Sequence, residues 1–222
     1  MPKNRPSIRL TIGTTVAAAL MATTIAAAGA TTTTAPGRRI DSKRAVCIAE
    51  IDRRVTALGA VQTRIDAMPR LTAEQKATED ANIASTVTTL NTVNRPAVLA
   101  ATNRASLAAA CSAIYTDVRV FAVVLPQIID TVKIDRLNSV VASLQALSAK
   151  KAAAGADTSS ADALISSGNA KLTDAAATTA SVTVAGFNAD PAGTMATWHS
   201  VEVSLNGAFT DLLGAFGLFK AL

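Results

Sequence analysis

The chain has 222 residues, half of them hydrophobic but only 3% aromatic, and 21 Lys and Arg against 16 Asp and Glu give a formal charge of +5. The length suffices for one domain with a real core. Scattered basic residues, no run of five like charges and few rings to stack on bases argue against a nucleic-acid binder.

The N-terminus reads as an export leader. Lys3, Arg5 and Arg9 stand without an acid before the uncharged stretch LTIGTTVAAALMATTIAAAGA at 10–30. A permanent span needs about 20 predominantly apolar residues, and five threonines with two glycines dilute this one. Ala28-Gly29-Ala30 offers the small residues a signal peptidase accepts. Cleavage after Ala30 is the expectation, with an uncleaved anchor as the alternative. No Arg pair precedes the run and no Cys ends it, which favours the general secretory route over twin-arginine export or lipidation. The leader removes three cations, leaving a mature charge of +2. The basic balance is then a weak argument for nucleic acid or anionic lipid.

Residues 31–40 read as a linker and 41–222 as a single helical-bundle domain. Ile51, Val55, Leu58 and Ile65 mark one stripe of a first helix from about Asp41 to Ala67, with Arg53, Arg54 and Arg64 on the opposite face. Thr72 and Gln75 form a capping box opening a second helix. Its stripe runs Ile83, Val87, Leu90 and Asn94, and Arg95-Pro96 should end it. A third helix from near Thr102 carries Leu107, Cys111, Ile114 and Val118. VRVFAVVLPQII at 118–129 has strand-like residues, but no comparable partner strand exists. It reads as a central helix, kinked or restarted at Pro126, running to a stop at Gly155. Ser159 or Ser160 should cap a fifth helix with Leu164, Leu172 and Val182 inward. After the break at 188–193 comes a last helix from about Thr194. Its residues Leu205, Phe209, Leu212, Phe216 and Phe219 step by four and three, as in a coiled-coil seam. The fold class expected is all-α: an elongated up-and-down bundle of five or six helices with coiled-coil-like packing.

Cys47 and Cys111 are the two cysteines, and an even count in an exported chain suggests a disulfide. With His199 as the single histidine, a zinc set or a thiol nucleophile lacks partners. Two buried free thiols are the remaining alternative.

Arg119 stands in an apolar run and needs a counter-ion if buried. Asp135, on the stripe Leu125, Ile128, Val132, is the preferred partner in a buried ion pair. That pair reads as a register-fixing contact, with a polar spot lining a ligand cavity or a snorkelling surface arginine as the alternatives. His199 and Glu202 are too few ligands for a metal. The seam Leu205, Phe209, Leu212, Phe216, Phe219 reads as core, with an interaction face toward a membrane or a second subunit as the alternative. No phosphate loop, GxSxG, HExxH or CxxC is present, so no catalytic residue, metal or cofactor is nominated.

Cys47 with I-D-R at 51–53, L-T-A-E-Q-K at 71–76, Y-T-D-V-R-V-F at 115–121, V-L-P at 124–126 and D-R-L at 135–137 together resemble exported helical proteins of high-GC Gram-positive bacteria. The resemblance spans roughly residues 47 to 150. It implies export and a helical bundle, and implies no activity or site. Cys111 lies outside those motifs, so the bridge rests on the compartment argument.

The function expected is that of a secreted, non-enzymatic interaction or structural module of the cell envelope or medium, with an unknown protein or envelope component as partner. One alternative is a carrier of a small apolar ligand near Arg119 and Asp135. The other is a membrane-perturbing protein acting through residues 205–222.

Overall fold

A computed structural model describes residues 36–222 except Arg70. The leader, its cleavage point and the first residues of the linker lie outside the described residues. Among the described residues there is no strand, and the all-α class holds.

Helix α1, Pro36–Asp66, begins inside the expected linker, opened by a proline whose missing N–H would be an orphan in the first turn anyway. Helix α2, Ala73–Thr89, carries the expected capping box: Gln75 N–H donates to Thr72 Oγ1 at 3.2 Å and Thr72 N–H to Gln75 Oε1 at 2.9 Å. Helix α4, Arg104–Thr116, is opened by a second such box, Asn103 with Ser106.

The expectation that Arg95-Pro96 ends the second helix is corrected. The helix passes through a π-helical turn, Leu90–Asn94, into α3, Arg95–Ala100. The same device recurs at Val120–Val124, which feeds α5, Leu125–Ala153, across Pro126. A proline inside a helix lacks a donor and its ring collides with the carbonyl four residues back. Widening the preceding turn relieves that collision. In both places the residue before the proline donates five residues back, Arg95 to Leu90 and Leu125 to Val120.

Between α4 and the second π turn the chain breaks at Arg119, whose φ of 44° is left-handed. The third helix therefore stops at Thr116, short of Val118. Helix α5 ends at Ala153, and Gly155, at φ 85°, supplies the left-handed cap anticipated there. Helix α6, Ser159–Ser181, follows. Thr158 precedes it without a side-chain cap, and Asp157 rather than a serine accepts from the Ser159 N–H at 3.0 Å. A short α7, Val184–Ala189, is additional to the sequence reading. Helix α8, Pro191–Ala221, starts three residues before the expected position, with Asp190 accepting from Gly193 N–H.

Two apolar cores result. The first gathers Ile51, Leu58 and Ile65 of α1, Ile83 and Leu90, Val98, Leu107 and Ile114 around Ile128 and Val132 of α5. The second gathers Ile134, Val141 and Leu144 of α5 with one face of α6 and one of α8. Helix α5 thus serves both. On α6 the buried stripe is Ala161, Ile165, Gly168, Leu172, Ala175, Thr179, whereas Leu164 is only half-buried. On α8 it is Trp198, Val201, Leu205, Ala208, Leu212, Ala215, Phe219. Both step by three and four, and small residues alternate with large. A Cβ on Gly168 would stand 3.1 Å from Leu212 and 3.3 Å from the Ala208 carbonyl, so the helices approach backbone to side chain there.

Candidate functional site

Cys47 and Cys111, on α1 and α4, bring their sulfurs to bonding distance with Cα atoms 5.6 Å apart. That is within the span of a disulfide.

The Arg119–Asp135 pair is not formed. The left-handed turn sends Arg119 toward α7, where its Nε donates to Asn188 Oδ1 at 2.6 Å and its guanidinium lies 5.0 Å from the Phe187 ring centroid. The same Asn188 donates through Nδ2 to the Thr116 carbonyl at 2.8 Å, capping α4. The expectation put Arg119 and Asp135 on inward faces of a helix kinked or restarted at Pro126, and the left-handed turn at Arg119 takes its side chain away from that face. Asp135 instead sits near Glu79 of α2. Burial pushes the Glu79 carboxyl above its ordinary range, with Asn82 partly offsetting this and Asp135 adding to it. Burial likewise raises Asp135, offset by hydrogen bonding to Gln75.

The α8 seam is turned by one position. Leu205, Leu212 and Phe219 are buried as expected, but Ala208 and Ala215 take the alternate places. Phe209 is only half-buried and Phe216 is 42% exposed. The close approach at Gly168 admits alanine where phenylalanine would not fit. His199 and Glu202 both face solvent. No cluster of three or more His, Cys, Asp or Glu suited to a metal occurs among the described residues.

One cluster stands apart in its chemistry, and it joins α1 to the two sides of the α4–α5 break. Tyr115 and Phe121 are six residues apart, which on a continuous helix would set them about 120° apart around the axis. The turn at Arg119 brings both rings to α1. There Arg53 Cζ lies 4.2 Å from the Phe121 centroid. Arg54 Cζ lies 4.7 Å from Tyr115 and 5.3 Å from Phe121. Each such contact contributes about 0.5–2 kcal/mol, more where water is excluded.

Glu50 ties the two arginines together. Arg53 donates through Nε and Nη2 to both of its oxygens at 2.8 Å, and Arg54 through Nε at 2.9 Å. The Arg53 hydrogen bond holds the Glu50 carboxyl below its usual range despite burial, and Glu50 raises Arg53 in return. Burial lowers Arg54, with Glu50 opposing that shift. One carboxylate against two guanidiniums leaves a local excess of one positive charge.

Arg54 is only 3% exposed, contrary to its expected place on the outer face. Its Nη1 and Nη2 find no oxygen acceptor among the described residues. The two rings beside it are open, Tyr115 at 46% and Phe121 at 39%. The signal was present in the sequence: Cys47, Ile51, Arg54, Leu58 and Ile65 keep three-four-seven spacing.

No protein family, curated protein or solved structure matches this chain.

Proposed function

We propose that this chain works outside the cytoplasm as a non-enzymatic binding module, with the Arg53–Arg54–Tyr115–Phe121 cluster as its contact face. The cluster carries the reading. It gathers the chain's single tyrosine, one of its five phenylalanines and the exposed Arg53 at the surface, over the buried Arg54. Tyr and Arg are the residue types that dominate binding energy in protein interfaces. The basic-then-apolar leader and the paired cysteines support export. The separation of Arg119 from Asp135 removes the polar spot on which a ligand carrier depended.

Capture of envelope material from the host on the immobilised mature chain tests the proposal, with Phe121→Ser as control. A component retained by the native chain and lost on Phe121→Ser, at unchanged helicity, supports the reading. Equal retention by both overturns it.

A second reading has one observation in its favour. Leu213, Phe216, Leu218 and Leu222 are exposed along the end of α8, with Lys220 Nζ 4.6 Å from the Phe216 centroid. That is a small interfacial face for a membrane surface. Dye release from anionic vesicles, abolished by Phe216→Asp, would favour it.

A further inference from the structure

The contact face has a preference that its wiring fixes. Arg54 is a charged side chain almost wholly withdrawn from water. A guanidinium carries five N–H donors, and here only Nε meets an oxygen, that of Glu50. The remaining donors face aromatic rings, which attract the charge but do not accept in line as an oxygen does. Nη1 and Nη2 keep an edge open to solvent, from which an acceptor can reach them. Next to them Arg53 is largely exposed and donates to Glu50 through Nε and Nη2, which leaves Nη1.

From this arrangement we infer that the face takes an acidic peptide segment of a partner protein, one carboxylate meeting the free guanidinium nitrogens while neighbouring side chains lie against Tyr115 and Phe121. The inference rests on the binding-module reading above and narrows it to a partner chemistry. Carboxylates match the planar fork of arginine through two parallel hydrogen bonds. The local excess of one positive charge selects for an anion, and Glu50, already saturated by three donors, cannot supply the missing acceptors. A peptide fits better than a bare ion because the rings offer apolar area alongside the charge.

The chain's single tyrosine gives a clean readout. Protein carrying ring-labelled tyrosine is titrated with acetylated, amidated octaglutamate, and the Tyr115 ring signals are followed by NMR. They shift saturably, and binding weakens as salt is added. Arg53→Gln weakens binding about tenfold, the loss of one charge-assisted hydrogen bond. Glu50→Gln tightens it, because the competing carboxylate is gone; a purely structural cluster would only loosen. Octalysine leaves the signals unmoved. Arg54→Lys tests the fork directly, and if that variant fails to fold, the Arg53 and Glu50 variants still decide.

Unmoved Tyr115 signals with octaglutamate overturn the inference. So does a response to inorganic polyphosphate without one to octaglutamate, or an affinity indifferent to Arg53→Gln. Envelope capture that still depends on Phe121 in those cases leaves the module reading standing. Capture independent of Phe121 removes both.

Discussion

The carbonyl four residues before Pro126 belongs to Ala122, and it is the one an α-helix would pair with the missing proline N–H. The buried Trp198 of α8 fills that role: its Nε1–H donates to the Ala122 oxygen at 3.1 Å. Trp198→Phe removes the donor and some volume. Leaving the carbonyl unpaired costs about 1–3 kcal/mol, and the smaller ring about 1 kcal/mol more through imperfect filling. The single variant should therefore lose about 2–4 kcal/mol in urea unfolding followed by far-UV circular dichroism. In a Pro126→Ala background the ring no longer holds the turn open, and on closing to four-back register the new amide N–H should take over the Ala122 carbonyl. There Trp198→Phe should lose only the packing part, about 1 kcal/mol. The difference between backgrounds, about 1–3 kcal/mol, exceeds the scatter of about 0.3–0.5 kcal/mol expected for independent sites. Equal losses in both backgrounds would refute the idea that the indole stands in for the missing N–H.

Glycine substitutions separate two kinds of site. Gly59→Ala and Gly217→Ala, where an added methyl meets nothing, should each gain about 0.5–1 kcal/mol in the same assay, whereas Gly168→Leu should lose about 1–3 kcal/mol or more against Leu212. Replacing Cys47 and Cys111 together by alanine opens a loop of 64 residues and should remove about 4 kcal/mol, read from the midpoint with and without reductant. Glu79, raised by burial, contributes stability that is complete below the ordinary carboxylate range and is lost as pH rises through its raised value. Glu79→Gln should therefore flatten the fall in stability from the carboxylate range toward neutral pH, and a pH profile parallel to that of the native chain would contradict the assignment.

How far the sequence showed this structure depends on the kind of signal. Two caps were legible because they are local, Thr72 with Gln75 and Gly155, whereas the expected serine cap of α6 is absent and the Asn103–Ser106 box is additional. The stripes of α2 and α4 were legible because apolar residues recur at helical spacing. The prolines misled, since Pro96 reads as a stop and a π turn lets the helix continue through it. Nothing in Tyr-Thr-Asp-Val-Arg marks a left-handed residue, and β-branched neighbours read as continuity. An arginine inside an apolar run reads as buried, and it is the left-handed turn that lets Arg119 reach Asn188 instead of Asp135. Arg54 reads as outward because a charge is normally solvated, although its spacing from Cys47 and Leu58 is that of the buried stripe. On α8 the large rings of Phe209 and Phe216 have the spacing of a seam, but the close approach at Gly168 puts Ala208, one position before Phe209, against α6.

The covalent staple and the twinned cores have an unequal consequence under heat. Cys47 and Cys111 both lie in the first core, so the chain entropy they withhold from the unfolded ensemble favours that half alone. The half built on α6 and α8 has no such clamp, and along its seam alanine and glycine, each burying little surface, alternate with the larger side chains. On warming, the C-terminal half should therefore lose its structure first, back to α5, with the disulfide-bearing helices and the Arg54 cluster outlasting it.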